Sequence, residues 1–243
     1  MLTSIVILQH ETWQLTRDLV DSIAKYTEAP YELVIVDNGS SDRLAVQYLE
    51  RLDASTATVK LVLHEYNQGF AKAVNHALTL CEGEYILLLN NDCQITHPDW
   101  LTMLVDALEA DDQVGIVSAL TTAPDQSVYW QRWDQYRQLE VIDVALHGLP
   151  MVPMTCVLLP ADVVDVVGNL CEDFFVYGED DDYCMRLRQH GLKLAVHTGV
   201  LVRHLHKQTT KLLKIDLERY KAKARELLTD KYGTAWLHSE TLL

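Results

Sequence analysis

No apolar run in the sequence approaches the roughly 20 residues that a bilayer-spanning helix needs, so no segment reads as a transmembrane anchor. The apolar stretch Ile5–Leu8 has nothing basic before it and no long apolar region after it, which makes it a strand and not a signal peptide. Positive charge is scarce. Lys and Arg number 20 against 35 Asp and Glu, for a formal charge of −15. Such a surface repels nucleic-acid backbones at long range, which excludes that class of partner. Nucleotide ligands stay within reach, because a divalent cation and backbone groups can hold them. The five cysteines (Cys81, Cys93, Cys156, Cys171 and Cys184) are odd in number and contain no CxxC pair. A disulfide framework or structural zinc site is therefore not expected, and a reducing cytoplasm fits. The GxGxxG fingerprint is missing too, which counts against a nicotinamide or flavin enzyme. No repeat, low-complexity tract or flexible linker divides the 243 residues, a length that buries one substantial core.

What is present is alternation. Short apolar runs at Ser4–Leu8, Leu33–Val36, Val59–Leu63, Tyr85–Leu89 and Val114–Ser118 read as strands. Trp13–Tyr26 places Leu15, Leu19, Ile23 and Tyr26 at helical spacing, and Arg43–Leu52, Phe70–Leu80 and Pro98–Leu108 read as further helices. Tyr85–Leu89 is continuously apolar, like a strand buried on both faces of a parallel sheet. These elements predict an α/β fold with a Rossmann-like, mostly parallel central sheet flanked by helices. Further on, helices are expected at Pro160–Val167, Glu179–His190 and Lys211–Leu228, with short strands at Lys193–His197 and Val200–Arg203 making a small mixed C-terminal sheet portion. One domain is expected over 1–243: a nucleotide-binding half at 1–119, an acceptor and catalytic part at 120–207, and a helical segment at 208–243. The last helix suits packing on the core, a homodimer contact or a peripheral contact with the inner face of a membrane.

Ligands of parallel α/β sheets bind beyond the carboxyl ends of the strands, so polar clusters directly after strands are the candidate site. Asp37-Asn38-Gly39-Ser40-Ser41-Asp42 follows one strand. A carboxylate there suits the imide N–H of uracil or thymine, and the same residues suit a turn in which Asp42 caps the next helix. Asn67-Gln68-Gly69-Phe70-Ala71 opens a helix carrying Asn75, and helix N-termini attract anions. Asn90-Asn91-Asp92 ends the buried strand, where hard oxygen ligands suit Mg²⁺ or Mn²⁺. Glu179-Asp180-Asp181-Asp182 opens a helix whose dipole offsets part of the crowding. Asp180 shares a stripe with Cys184 and Leu187 and is expected to point into the cleft, whereas Asp181 falls with Met185 and Arg188 and fits a solvated acid. His204 ends a strand, a position open to a neutral imidazole ligand. Trp130, Trp133 and Tyr136 suit stacking on acceptor sugar rings, or packing.

Taken in order, these clusters resemble the family 2 glycosyltransferases of GT-A fold, and in particular the bacterial branch rich in rhamnosyltransferases. The resemblance rests on Val36 to Asp42, Asn67 to Ala71 with Asn75, Leu88 to Asp92, and Gly178 to Arg186, and spans residues 3–207. It implies that Asp37 and Asn38 meet the nucleobase side of the donor and that Asn67, Gly69 and Asn75 line the nucleoside. It implies that Asn90 and Asn91 accompany the metal ligand Asp92, with His204 completing the metal site. It further implies that Asp180 is the general base, with Glu179 and Asp182 supporting it or binding the acceptor. The implied reaction is an inverting transfer of a sugar from a UDP- or dTDP-type nucleoside diphosphate sugar, with Mn²⁺ or Mg²⁺, to a hydroxyl of a glycan or lipid-linked glycan. The sequence departs from the family pattern at Leu8-Gln9-His10, at Asn90 in place of the first metal-site acid, and at Cys171. A nucleotidyltransferase and a non-catalytic nucleotide-sugar or glycan-binding module are the alternatives.

Overall fold

The computed structural model describes residues 1–55, 58–123, 127, 141–147, 151–205, 216–234 and 236. Its strands are β1 (Thr3–Gln9), β2 (Tyr31–Asp37), β3 (Val59–Leu63), β4 (Tyr85–Asn90), β5 (Cys93–Ile95), β6 (Val114–Thr122), β7 (Val141–Asp143), β8 (Cys156–Pro160) and β9 (Lys193–His204). Its α-helices are α1 (Trp13–Tyr26), α2 (Arg43–Ser55), α3 (Phe70–Leu78), α4 (Trp100–Glu109), α5 (Ala161–Val167), α6 (Glu179–Gln189) and α7 (Leu217–Tyr232). The sheet runs β3-β2-β1-β4-β8-β6-β9-β5, with β7 also on β9. Strands β1 to β4 pair in parallel, and β8 then enters antiparallel between β4 and β6. Strand β9 lies parallel to β6, while β7 and β5 pair antiparallel with its first and last parts. Among the described residues no helix is long and apolar enough to cross a membrane.

Strand side chains alternate between two cores, as the period of two requires. Ile5, Ile7, Leu33, Ile35, Leu87 and Leu89 face one way and pack with Leu19 and Ile23 of α1, Leu49 of α2 and Leu101 and Leu104 of α4. Val6, Val34, Val36, Ile86 and Leu88 face the other way, against Ala73, Val74 and Ala77 of α3 and Tyr183, Cys184 and Leu187 of α6. The continuous apolar run of β4 is thus explained: every one of its central residues is covered. A third, small cluster of Phe174, Ala224, Leu228 and Trp236 seats α7.

Strands β5, β7 and β8 were not expected, several helix ends move by one to three residues, and two boundaries differ for a plain physical reason. The strands expected at 193–197 and 200–203 are one strand, because Thr198, Gly199 and Val200 bulge out between the pairs Ala119–His197 and Leu120–Leu201. The polar-glycine step reads as an end in the sequence, whereas pairing resumes on its far side. The last helix starts at Leu217 instead of Lys211, where the Asp216 side chain caps it by accepting from the Arg219 N–H at 3.2 Å. The aromatic positions Trp130, Trp133 and Tyr136 lie outside the described residues.

Leu87, fully buried in the middle of β4, should cost about 2–5 kcal/mol when cut to alanine. The exposed Leu63 of β3 should cost less than about 0.5 kcal/mol. Urea denaturation of the two variants measures the difference.

Candidate active site

The parallel register lines up three strand ends. Gln9 stands beside Asp37, and Leu8 beside Asn90. At the end of β2 the Asp37 carboxylate is buried; its Oδ1 accepts from the Ser40 N–H at 2.9 Å, and its Oδ2 has no partner. A buried acceptor left unsatisfied is costly, so this oxygen is poised for a donor group on a ligand. The turn beneath it is braced by the Ser40 hydroxyl, which accepts from Gln9 Nε2 at 2.7 Å and the Glu11 N–H at 2.8 Å. Gly39 sits at φ 78°, where a Cβ would come within 2.4 Å of the Tyr66 backbone, so no other residue fits this turn.

Only Asn91 and Asp92 separate β4 from β5. Strand β5 crosses to the far edge of β9 and pairs Cys93 with His204. That crossing delivers Asp92 to His204: Oδ1 and Nε2 are 3.0 Å apart, both residues buried. The Leu205 N–H also donates to the Asp92 carbonyl at 2.8 Å. Cys93 Sγ completes a group whose ligand atoms all lie within 4.8 Å of one another. Carboxylate oxygen and imidazole nitrogen are the donor types that Mn²⁺ accepts, and Mg²⁺ favours the oxygen. The residues therefore fit a divalent ion. Burial, followed by the neighbouring Asp92 charge and Cys156, drives the Cys93 thiol well above its usual pKa, so it stays protonated. Asn90 is half-buried and its side chain makes no hydrogen bond among the described residues, while its N–H donates to the Thr155 carbonyl at 2.9 Å.

The acid turn opens α6. Tyr177 and Gly178 precede it at φ 68° and 91°. Glu179 is buried with its Oε2 unpartnered, and Asp180 is partly exposed, its Oδ1 accepting from the Asp181 N–H at 3.0 Å. Burial lifts the Glu179 carboxyl well above the usual range, and the Asp180 and Asp181 charges add to the lift. Burial also raises Asp180, opposed by the N–H groups of Asp181, Asp180 and Gly178. A raised pKa makes each carboxylate a stronger base.

The strand end before Asp92 and the helix that opens with the acid turn are linked through the 152–155 segment. The Cys184 thiol, one turn along α6 from Asp180, donates to the Val152 carbonyl at 3.8 Å. Three residues on, Thr155 accepts from Asn90 at the mouth of β4. The loop before the turn also reaches the donor side, since the Phe70 N–H donates to the Phe175 carbonyl at 2.7 Å.

Several residues expected to line the ligand are instead spent inside the protein. Asn38 donates to Asn67 Oδ1 (3.0 Å) and the Gly69 carbonyl (3.1 Å), and accepts from the Gln68 N–H (3.0 Å). Asn67 Oδ1 also accepts from the Gly69 N–H at 2.9 Å. Gly69, at φ 88°, admits the Phe175 backbone, whose carbonyl would lie 2.8 Å from a Cβ. Asn75 exchanges bonds with the Leu170 backbone at 2.9 and 3.0 Å. Asn91 is buried, donating to the hydroxyls of Thr12 (2.8 Å) and Thr16 (3.1 Å) on the α1 side. Asp182 has no exposure; its oxygens accept from Arg186 Nε (2.9 Å), Tyr232 OH (2.7 Å) and Lys231 Nζ. In each case long-range partners consume the polar atoms. Asp181 corrects the stripe argument, being buried where a solvated acid was expected. Lys231 and Tyr232 went unnoticed in the sequence, because the expected helix stopped at Leu228; their signal is their place in the last turn before Gly233.

The model of glycosyl transferase family 2 matches residues 4–168. This chain belongs to that family. The match runs from β1 through α5 and so carries Asp37, Asn90 and Asp92, while the acid turn and His204 lie beyond it. The family 2 chain is 27% identical to the O-antigen biosynthesis protein RfbC of Myxococcus xanthus, over 79% of this chain and 16% of that protein. It is 23% identical to the N-acetylglucosaminyl-diphospho-decaprenol L-rhamnosyltransferase of Mycobacterium tuberculosis, over 88% of this chain and 80% of that one. A mannosyltransferase from Pyrobaculum calidifontis, solved with GDP-Man and Mn²⁺, superposes with a TM-score of 0.68 at 18% identity, covering 98% of this chain and 73% of that structure. That likeness gives the GT-A fold. This chain spans 16% to 34% of the length of three of the curated relatives that it matches.

Glu179→Gln tests the cost of the buried acid. A carboxyl whose folded pKa is raised loses stability as pH rises from its unfolded value through its folded one. The variant should match the parent near pH 4 and melt higher at pH 8, as read by thermal unfolding across that range.

Proposed function

We propose that this chain is an inverting glycosyltransferase that moves a sugar from a UDP- or dTDP-type donor to a hydroxyl of a glycan or lipid-linked glycan. The observation that carries the proposal is the Asp92–His204 pair, 3.0 Å apart just past the end of β4, in a chain that also carries the raised-pKa acids Glu179 and Asp180. An ion-binding pair and a carboxylate base match a reaction that must hold a diphosphate and deprotonate an attacking hydroxyl. The relative from Mycobacterium tuberculosis bears the name of a rhamnosyltransferase, which supports rhamnose or a hexose as the transferred sugar. The mannosyltransferase with GDP-Man and Mn²⁺ and a Staphylococcus aureus TarS structure with UDP support the donor chemistry.

Asp37 reads the base. Its single unpartnered oxygen accepts one N–H, because Ser40 holds the other oxygen. The imide of uracil or thymine presents one such donor. Asp92 and His204 would hold the divalent ion, with Asn90 beside them for ribose or ion, and that ion supplies charge neutralisation to the departing diphosphate. Asp180 takes the proton of the acceptor hydroxyl as its oxygen attacks the anomeric carbon. The bond from that carbon to the diphosphate oxygen breaks on the opposite face, and the nucleoside diphosphate leaves with the electron pair. Glu179, adjacent and with its Oε2 unpartnered, would hold the acceptor.

Asp180→Asn should lower turnover by about 10²–10⁴-fold, the usual worth of a general base, and leave donor affinity unchanged. A radiolabelled-donor transfer assay paired with calorimetry tests this. Full activity in the variant would remove Asp180 from the role. Asp92→Ala should abolish the Mn²⁺ dependence of UDP binding; calorimetry with and without chelator measures it, and an undiminished metal effect would strip Asp92 of its part.

A further inference from the structure

The acid turn is held from outside its own helix. Tyr177 and Gly178 both lie at positive φ, a conformation that a tyrosine adopts only when its surroundings impose it. The N-cap of α6, Gly178, offers no side chain to bond the first turn. What surrounds the turn is α7. Ala224 approaches so closely that a Cβ on Gly178 would lie 2.9 Å from its methyl group. Tyr220 stacks on Phe175 with ring centroids 5.2 Å apart, and Lys221 lies over the Tyr177 ring at 5.8 Å.

The last turn of α7 adds a polar lock. Asp182, with no exposure, receives Lys231 and Tyr232 from α7 and Arg186 from its own helix. Arg186 reaches on to the Val167 carbonyl at the end of α5, at 2.8 Å, and Lys231 to Cys171 Sγ at 3.4 Å. One buried carboxylate therefore ties α5, α6, α7 and the 171–174 loop together. Removing a donor from a buried carboxylate disturbs it strongly, and here the disturbance falls two residues from Asp180. The apolar contacts of α7 form a cluster separate from the two cores that cover the sheet. Loosening the last turn of α7 thus acts on the acid turn through Asp182, while Tyr220, which stacks on Phe175, keeps its own contact with the loop that reaches Phe70.

We infer that Lys231 and Tyr232 are positioning residues, which act through Asp182 to fix the first turn of α6 and aim Glu179 and Asp180 at the acceptor. The inference rests on the transferase reading for what the turn does, and on geometry alone for what holds it. The test uses the full chain with Lys231→Met, Tyr232→Phe and the conservative Lys231→Arg. Amide hydrogen exchange over residues 178–183 should quicken in the first two variants. Their kcat should fall about 10- to 100-fold, as small misplacements of catalytic groups do, while donor KM and UDP affinity hold. Lys231→Arg should recover most of the rate. Exchange and kcat equal to the parent would overturn the inference, as would donor affinity and kcat falling together with the folded fraction. A parent that transfers no sugar, with exchange still quickened in the variants, would sink the transferase reading and leave the lock standing.

Discussion

Parallel pairing of β1 with β2 on one side and β4 on the other is the constraint from which the chemistry follows. It fixes Gln9 level with Asp37 and Leu8 level with Asn90, so that polar residues placed just after apolar runs emerge within one residue of a common line. The insertion of β8 between β4 and β6 then carries the second half of the sheet outward, and β9 returns parallel to the first strands. His204, at the end of β9, meets Asp92 because both strands end at the same edge. A one-residue slip of β4 would swap its two core faces and move Asp92 off its partner.

The edge also shows how this protein separates structural from reactive polar groups. Asn38, Asn75, Asn91 and Asp182 are bonded to internal partners. Asp37 and Glu179 each keep one buried oxygen without any. Buried, unanswered acceptors are unfavourable in the empty protein, and under the proposed function a bound substrate would relieve them. Stability is thus surrendered where ligand groups are to be recognised and recovered in the braces around them.

Much of this was legible in the sequence. The apolar runs marked the strands, and the polar groups following two of them include Asp37 and Asp92, at the ends of β2 and β4; Glu179 and Asp180 were read as the first turn of a helix, which they are. The inward-turned amides were not legible. Asn75 bonds to Leu170 and Asn91 to Thr12 and Thr16, and no local pattern announces partners so distant in the chain. Nor does the period of a single helix reveal that both faces of α6 are covered, which is why Asp181 proved buried. The bulge at Thr198–Val200 escaped for a related reason: only the neighbouring strand shows that pairing continues past it.

The crossing of β5 has one more consequence. Its ladder with β9 is only three residues long, from Cys93 to Ile95, yet it joins chain segments more than a hundred residues apart. An ion seated between Asp92 and His204 would bolt that short ladder shut. By mass action its binding would shift the folding equilibrium in favour of the closed edge. Cation supply would then govern how firmly the edge strand β5 stays on β9, quite apart from any sugar moved.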